Sequence, residues 1–130
     1  KKATPIGHPS GLTGLSSPIV ENSTVVYGCS RQSEILRPRS VIGWKKNGDV
    51  LLVTISGRAF AGELRVGGAT VHQAATYLKQ LGAVTAVAFD GGNSTTLLVR
   101  KKKGGPLIRL DRSQSEYQRP ITDAVAFDLR

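Results

Sequence analysis

Hydrophobic residues recur at helical spacing in one stretch of the chain, between Thr70 and Gly82. The apolar side chains of this stretch fall on one face of a helix; they are Val71, Ala74, Ala75, Leu78 and Leu81. Thr70 and Gln73 have the spacing of a capping box at the N-terminus, and Gly82 stands where helices commonly end in glycine. The pattern predicts one clear helix over residues 70–82.

Short runs rich in Val, Ile and Leu predict strands on both sides of this helix. Residues 41–44 and 50–55 flank an Asn-Gly turn and predict a β-hairpin. The second of these strands is apolar on both faces, so we expect it inside a covered sheet. Further strands are predicted at 19–20, 25–27, 84–89, 95–100, 106–110 and 122–129. The expected fold class is α+β: a single domain with a mixed, mostly antiparallel sheet and one helix.

Length and composition limit the organisation of the chain. Its 130 residues suffice for one domain with a core. Residues 1–36 are rich in Pro, Gly and Ser and predict a loop-rich N-terminal arm before a domain at 37–130. Cys29 is the only cysteine, so no intrachain disulfide can form. No apolar run approaches the roughly 20 residues of a membrane helix, so we expect no membrane span.

The charge balance favours anionic partners. The chain has 18 Lys and Arg against 9 Asp and Glu, which gives a net charge of +9. Nucleic acid, phosphorylated glycans, acidic polymers and membrane surfaces would all be attracted by such an excess. Because the sequence contains neither a recognition-helix nor a zinc-finger pattern, nucleic acid is not the expected partner.

The candidate site is a polar turn that follows the apolar run 84–89. It consists of Asp90, Gly91, Gly92, Asn93, Ser94, Thr95 and Thr96. The plain structural interpretation is a β-hairpin, with a tight turn between two strands in which Asp90 caps its own backbone. The functional interpretation is a site, because a carboxylate, flexible backbone and three hydroxyl groups are concentrated at one strand end.

The residue types of the turn suit an anionic or sugar ligand. Gly91 and Gly92 can adopt positive φ and let a ligand approach the backbone, whose amides can form an anion-binding nest. Asp90 could act as a general acid or base, or could bind a sugar hydroxyl or a metal. Arginines hold phosphate or carboxylate in bidentate fashion; the candidates are Arg39, Arg58 and Arg119. No cluster of His, Cys and carboxylates has metal-ligand spacing, so no cofactor is assigned, and a divalent cation beside Asp90 is left open.

At this turn the sequence resembles a known family. Asp90-Gly91-Gly92-Asn93-Ser94-Thr95-Thr96 is similar to the Asp-Gly-Gly-Gly-Ser-Ser/Thr-Thr signature of phosphodiester glycosidases. That family includes the enzyme that uncovers mannose 6-phosphate by removing N-acetylglucosamine from a phosphodiester. Residues 38–43, 51–58 and 119–124 resemble, in order, its Pro-Arg-Thr-Ala-Ile-Gly, Leu-Leu-Val-Thr-Val-Asp-Gly-Arg and Arg-Pro-Val-Ala-Asn-Ala segments.

The resemblance implies hydrolysis of a sugar-1-phosphodiester or a related glycosidic bond in a phosphorylated or cell-surface glycan. It makes Asp90 the first candidate for a catalytic carboxylate, with Glu63 and Asp123 as weaker candidates for a second. The arginines would bind the phosphate; Gly91, Gly92, Asn93, Ser94 and Thr95 would contact the substrate. The expected partner is a phosphorylated glycan or another anionic saccharide, in an extracellular or secretory compartment.

Three hypotheses follow for the function of the chain. The first is this hydrolase. The second is a non-catalytic carbohydrate- or anion-binding module on the same fold; Asn93 and Ser56 favour it, because they replace a glycine and an aspartate of the family's segments. Residues 1–36 do not resemble the family's N-terminal half with its Asn-Gly-Gly-Phe-Phe-type motif, so a missing N-terminal half or a partner chain is left open. A basic nucleic-acid-binding domain is the third.

Overall fold

The computed structural model describes residues 18–26, 34–58, 66–111, 120–121 and 124–127. The helix α1 spans Val71–Gln80. The strands are β1 Pro18–Glu21, β2 Thr24–Val25, β3 Arg39–Lys45, β4 Val50–Ile55, β5 Gly57–Arg58, β6 Val66–Gly67, β7 Ala83–Ala88, β8 Leu98–Arg100 and β9 Leu107–Arg109. The α+β class with a mostly antiparallel sheet and one helix is confirmed.

A five-stranded sheet in the order β2-β1-β7-β3-β4 forms the centre of the described fold. All of its pairings are antiparallel. Strands β5 and β6 form one two-stranded sheet, and β8 and β9 form another. Residues 18–25 of the predicted N-terminal arm supply β1 and β2, which extend the central sheet beside β7.

The predicted hairpin at the Asn-Gly turn is present as β3 and β4. Gly48 has φ +89, a left-handed conformation that costs glycine little. The Lys45 amide donates to the Asp49 carbonyl at 2.9 Å and closes the turn. The turn therefore sets the pairing register Gly43↔Leu51 and Val41↔Val53 that follows.

Both ends of α1 have the predicted caps. The Thr70 hydroxyl accepts from the Gln73 amide at 3.1 Å, and the Gln73 side chain accepts from the Thr70 amide at 2.9 Å. Gly82 follows the helix with φ +91. The helix thus begins and ends where local sequence places it.

The core lies between α1 and one face of the central sheet. Ala74, Ala75 and Leu78 of the helix are buried there together with Val20 and Val41 of the sheet. The helix approaches the sheet closely at Gly43, where an added Cβ would lie 3.0 Å from the Leu78 side chain. Because Gly43 has no side chain, the large Leu78 side chain can pack directly against the sheet.

Two predictions for the strands are wrong in the described residues. Strand β4 is an edge strand, and its Leu52 is 43% exposed. An apolar run shows that side chains are hydrophobic on both faces, but it does not show which strands pair beside it. The predicted strand at 122–129 is absent at 124–127, and its other residues lie outside the described ones.

No helix within the described ranges combines the length and the hydropathy that a membrane span requires.

We expect Leu78→Ala to lower the free energy of unfolding by about 2–5 kcal/mol, because it leaves a cavity between helix and sheet. Urea denaturation measures the change. Tyr77→Ala on the exposed side of the same helix is the matched control and should change stability by no more than about 0.5 kcal/mol. Equal losses for the two variants would contradict this description of the core.

Candidate functional site

The register of three strands brings separate parts of the sequence to one end of the central sheet. Strand β3 pairs with β7 through Val41↔Ala88 and with β4 through Arg39↔Ile55. The β3–β7 ladder continues past β7, since the Phe89 amide donates to the Ser40 carbonyl at 2.8 Å. Asp90 follows directly, and a Cβ on the next residue, Gly91, would lie 3.8 Å from the Arg39 Cα, so the polar turn begins beside Arg39.

Arg39 is the most buried charged residue at this end. It is 7% exposed. Its Nε donates to the Ala69 carbonyl at 2.9 Å and its Nη2 donates to the Ile35 carbonyl at 2.8 Å. Burial, and then the neighbouring charge of Arg37, lower the pKa of the Arg39 guanidinium from its ordinary value. The side chain therefore connects three chain segments and remains a desolvated cation.

Within the described ranges, no carboxylate forms a salt bridge with Arg39. The ion pair found in these ranges joins Arg109 and Asp111, outside the polar turn. A buried charge is costly unless an opposite charge or several hydrogen bonds compensate it. A guanidinium carries five N–H donors, of which the carbonyls of Ala69 and Ile35 take two. Arg39 thus combines a positive charge with further donor capacity.

The backbone of the polar turn packs directly onto Pro38. The Gly92 amide donates to the Pro38 carbonyl at 2.9 Å. A Cβ on Gly91 would lie 2.5 Å from the same oxygen, so only glycine fits this approach. Gly92 has φ +61, and apart from its chain neighbours no described residue comes within 4 Å of where its Cβ would stand. The first glycine allows the contact with Pro38, and the second leaves open space above the backbone.

The anion-binding nest predicted for the turn does not form from three of its amides. A 3₁₀ turn spans Gly92–Ser94. The amides of Ser94 and Thr95 donate to the carbonyls of Gly91 and Gly92, each at 3.2 Å, and the Gly92 amide is taken by Pro38. A ligand at this turn would consequently depend more on side chains than on these amides.

The polar side chains of the turn differ in exposure. Asp90 and Asn93 are exposed, Ser94 is buried, and Thr95 is completely buried. Among the residues that the structure describes, the Thr95 Oγ1 has no hydrogen-bond partner. An unsatisfied buried hydroxyl costs roughly 1–3 kcal/mol, so Thr95 is an orphaned polar group directly behind the turn.

The interpretation of the turn as a hairpin connection is wrong. Both edges of β7 are already paired, with β1 and with β3. The chain after the turn therefore cannot return beside β7, and β8 pairs instead with β9 through Leu98↔Arg109. The turn consequently links two sheets.

The other predicted site residues are only partly located. Arg58 belongs to β5, three residues after the partner of Arg39 in β4. Arg119, Glu63 and Asp123 lie outside the described residues.

Pro38, whose carbonyl anchors the turn, was not a predicted site residue. The sequence at Pro38-Arg39 gives no local signal for this contact, because the contact depends on the pairing of β3 with β7.

The described ranges contain no group of three or more His, Cys, Asp or Glu side chains that could hold a metal ion.

Most of the chain matches a known protein family. The family model for phosphodiester glycosidase matches residues 5–127. A solved hypothetical protein from Synechocystis is 34% identical with a TM-score of 0.54, over 74% of this chain and 17% of its own.

A second solved structure shares the fold. It is the zebrafish N-acetylglucosamine-1-phosphodiester alpha-N-acetylglucosaminidase catalytic domain, auto-inhibited by its pro-peptide. It is 18% identical with a TM-score of 0.54, over 80% of this chain and 37% of its own. The chain thus spans well under half the length of either structure. No curated protein matches it.

We expect Gly91→Ala to lower the free energy of unfolding by about 2–4 kcal/mol. The new Cβ overlaps the Pro38 carbonyl, which forces a shift costing about 1–3 kcal/mol and weakens the Gly92 hydrogen bond, worth about 1 kcal/mol. Thermal or urea unfolding measures the loss. Asn93→Ala, an exposed position in the same turn, is the control; if it costs as much as Gly91→Ala, close packing on Pro38 is not what fixes the turn.

Proposed function

Because the chain belongs to the phosphodiester glycosidase family, we propose that it takes part in hydrolysis of a sugar-1-phosphodiester or a related glycosidic bond in a phosphorylated or cell-surface glycan. The observation that carries the proposal is the buried Arg39 guanidinium, which has no carboxylate partner within the described ranges. The polar turn packs beside this residue, at Gly91. An anionic group of the substrate would supply the missing counter-charge.

Phosphate suits Arg39 in both charge and geometry. Guanidinium N–H groups form charge-assisted, bidentate hydrogen bonds with phosphate oxygens. The lowered pKa of Arg39 has the direction expected of a cation that lacks hydration, and a bound anion would offset part of that desolvation. Arg58 and Arg119 are proposed as further phosphate contacts.

The proposed reaction is hydrolysis at the anomeric carbon of the sugar. Water adds to the anomeric carbon while the bond from that carbon to the phosphate oxygen breaks, and the electron pair leaves with the phosphate monoester. Negative charge therefore grows on the phosphate, where an arginine stabilises it without giving up a proton. Asp90 would take the proton of the attacking water. Alternatively, its carboxylate would bond to the anomeric carbon as the phosphate leaves, and water would then hydrolyse that bond to release the sugar. Glu63 and Asp123 remain the proposed second carboxylates.

The turn would hold the sugar beside these charges. Gly92 leaves open space above the backbone, and Gly91 keeps the turn against Pro38. The Thr95 hydroxyl, buried without a partner among the described residues, is a donor and acceptor that a ligand or an ordered water could satisfy. Asn93 and Ser94 are the remaining proposed substrate contacts.

The second candidate function is a carbohydrate- or anion-binding module without catalysis. Ser56 supports it, because it stands where the family's segment has a carboxylate, and so do the turn amides that are already hydrogen-bonded. Such a module would use Arg39 to bind an anionic saccharide, and Asp90 would have no catalytic role in it. Family membership also supports placing the protein in an extracellular or secretory compartment, under either proposal.

We expect the full chain to hydrolyse an N-acetylglucosamine-1-phosphodiester, and Asp90→Asn to lower kcat by about 100-fold or more, because a general acid or base contributes about 10²–10⁴-fold. A simple aryl glycoside is tested in parallel. Asp49→Asn, which removes an exposed carboxylate from the β3–β4 turn, is the matched control and should leave kcat unchanged. Full activity of Asp90→Asn would refute the role of Asp90; binding by wild type without turnover of either substrate would select the module instead.

We expect inorganic phosphate to bind at Arg39, and Arg39→Lys to weaken that binding about 10- to 100-fold, because lysine cannot reproduce the planar guanidinium fork. Calorimetric titration at constant ionic strength measures it. Lys102→Gln at the exposed tip between β8 and β9 removes a positive charge, which Arg39→Lys does not, and should still have little effect. Loss of binding in Lys102→Gln but not in Arg39→Lys would show that phosphate responds to surface charge alone.

A further inference from the structure

We propose that Asp111 is a positioning residue for the turn that carries Asp90, and that it acts through the backbone of Leu97. The inference rests on the proposed function, since the group that it would position is the candidate acid, base or nucleophile. Asp111 itself is not proposed to touch the substrate.

Asp111 is fixed by a short network at the base of the β8–β9 hairpin. Its side chain is fully buried, and its Oδ1 accepts from the Leu97 amide at 2.8 Å. Arg109 Nε donates to Oδ1 at 3.2 Å and to Oδ2 at 3.0 Å, and its Nη2 lies 3.0 Å from Oδ2. The guanidinium thus orients the carboxylate, and the carboxylate holds the Leu97 backbone.

Leu97 is the residue at which the polar turn ends, directly after Thr96. At its start, the turn is held by the Phe89 amide on the Ser40 carbonyl and by the Gly92 amide on the Pro38 carbonyl. The central sheet therefore fixes one end and Asp111 fixes the other. The completely buried Thr95 lies between these anchors.

A hairpin by itself would be a weak anchor for this end. Isolated two-stranded hairpins are marginally stable in water, and β8 and β9 pair only with each other in the described structure. The Leu110 amide donates to the Leu97 carbonyl at 2.9 Å, so Leu97 is held through both its N–H and its C=O. Burying a carboxylate is costly unless it is paired and hydrogen-bonded. Asp111 is both, and it holds the C-terminal end of the polar turn in place.

Nuclear magnetic resonance of the full chain tests the inference without reference to catalysis. In Asp111→Ala, amide shift changes and faster exchange are expected at Leu97 and back through residues 94–96. Asp111→Asn keeps an oxygen that can accept from Leu97 but loses the charge that orients Arg109, so its changes should be smaller. Asp49→Asn is the control and should leave the turn unchanged. Changes confined to residues 98–110 would overturn the proposal.

Kinetics supply the second measurement, made where each variant is more than nine-tenths folded. We expect kcat per folded molecule to fall roughly 10- to 100-fold in Asp111→Ala, because small misplacements of catalytic groups cost about that much. KM should change little, and Asp111→Asn should recover part of the loss. An unchanged kcat beside a lowered Tm would show a purely structural role and overturn the proposal.

The two proposals fail separately. If wild type hydrolyses neither substrate, the hydrolase proposal fails and the resonance data alone decide whether Asp111 positions the turn. If Asp111→Ala does not fold, Asp111→Asn carries both measurements.

Discussion

Strand β3 is hydrogen-bonded along both edges, to β4 and to β7, and the described part of the candidate site depends on these two ladders. The pairing Val41↔Ala88, the hydrogen bond from Phe89 to Ser40 and the hydrogen bond from Gly92 to Pro38 place the polar turn beside Arg39. Since a slip of one residue would turn every side chain of β7 to the opposite face, the buried Ala86 and Ala88 hold this register through the core. Packing under the helix therefore fixes the geometry of the site.

The same arrangement places a stability cost at the site. Within the described part of the chain, Arg39 is buried without a carboxylate partner, and the buried Thr95 hydroxyl has no hydrogen-bond partner. Both features work against folding, and both occur where the polar turn meets the sheet. Polar groups held ready in a fixed frame cost stability in the unliganded protein and favour ligand binding, because little reorganisation is then needed.

Local patterns predicted the local structure. The helix with its capping box at Thr70 and Gln73, and the hairpin at Asn47-Gly48, follow from spacings of a few residues. Contacts between distant segments could not be predicted in this way. The prediction that β7 and β8 form a hairpin was wrong because β1 and β3 already occupy both edges of β7. The prediction that β4 lies inside the sheet was wrong because hydrophobicity does not specify strand order.

The site residues show the same division. The concentration of polar residues after β7 drew attention to Asp90 from sequence alone, and the family resemblance added the arginines. Burial of Arg39 depends on carbonyls at Ile35 and Ala69, the second of them 30 residues away, so no spacing rule could reveal it. Asp111 had no signal at all, because a single aspartate after a strand is usually a surface residue.

The proposed function depends on binding of the phosphate of a sugar phosphodiester by the Arg39 guanidinium, next to the polar turn. The most direct measurement is a resonance titration of the full chain, labelled at arginine side chains and backbone amides, with a non-hydrolysable sugar-1-phosphonate diester. We expect saturable shifts of the Arg39 guanidinium together with the amides of residues 90–93. Shifts confined to Lys101–Lys103 at the hairpin tip, with Arg39 unmoved at saturation, would contradict it.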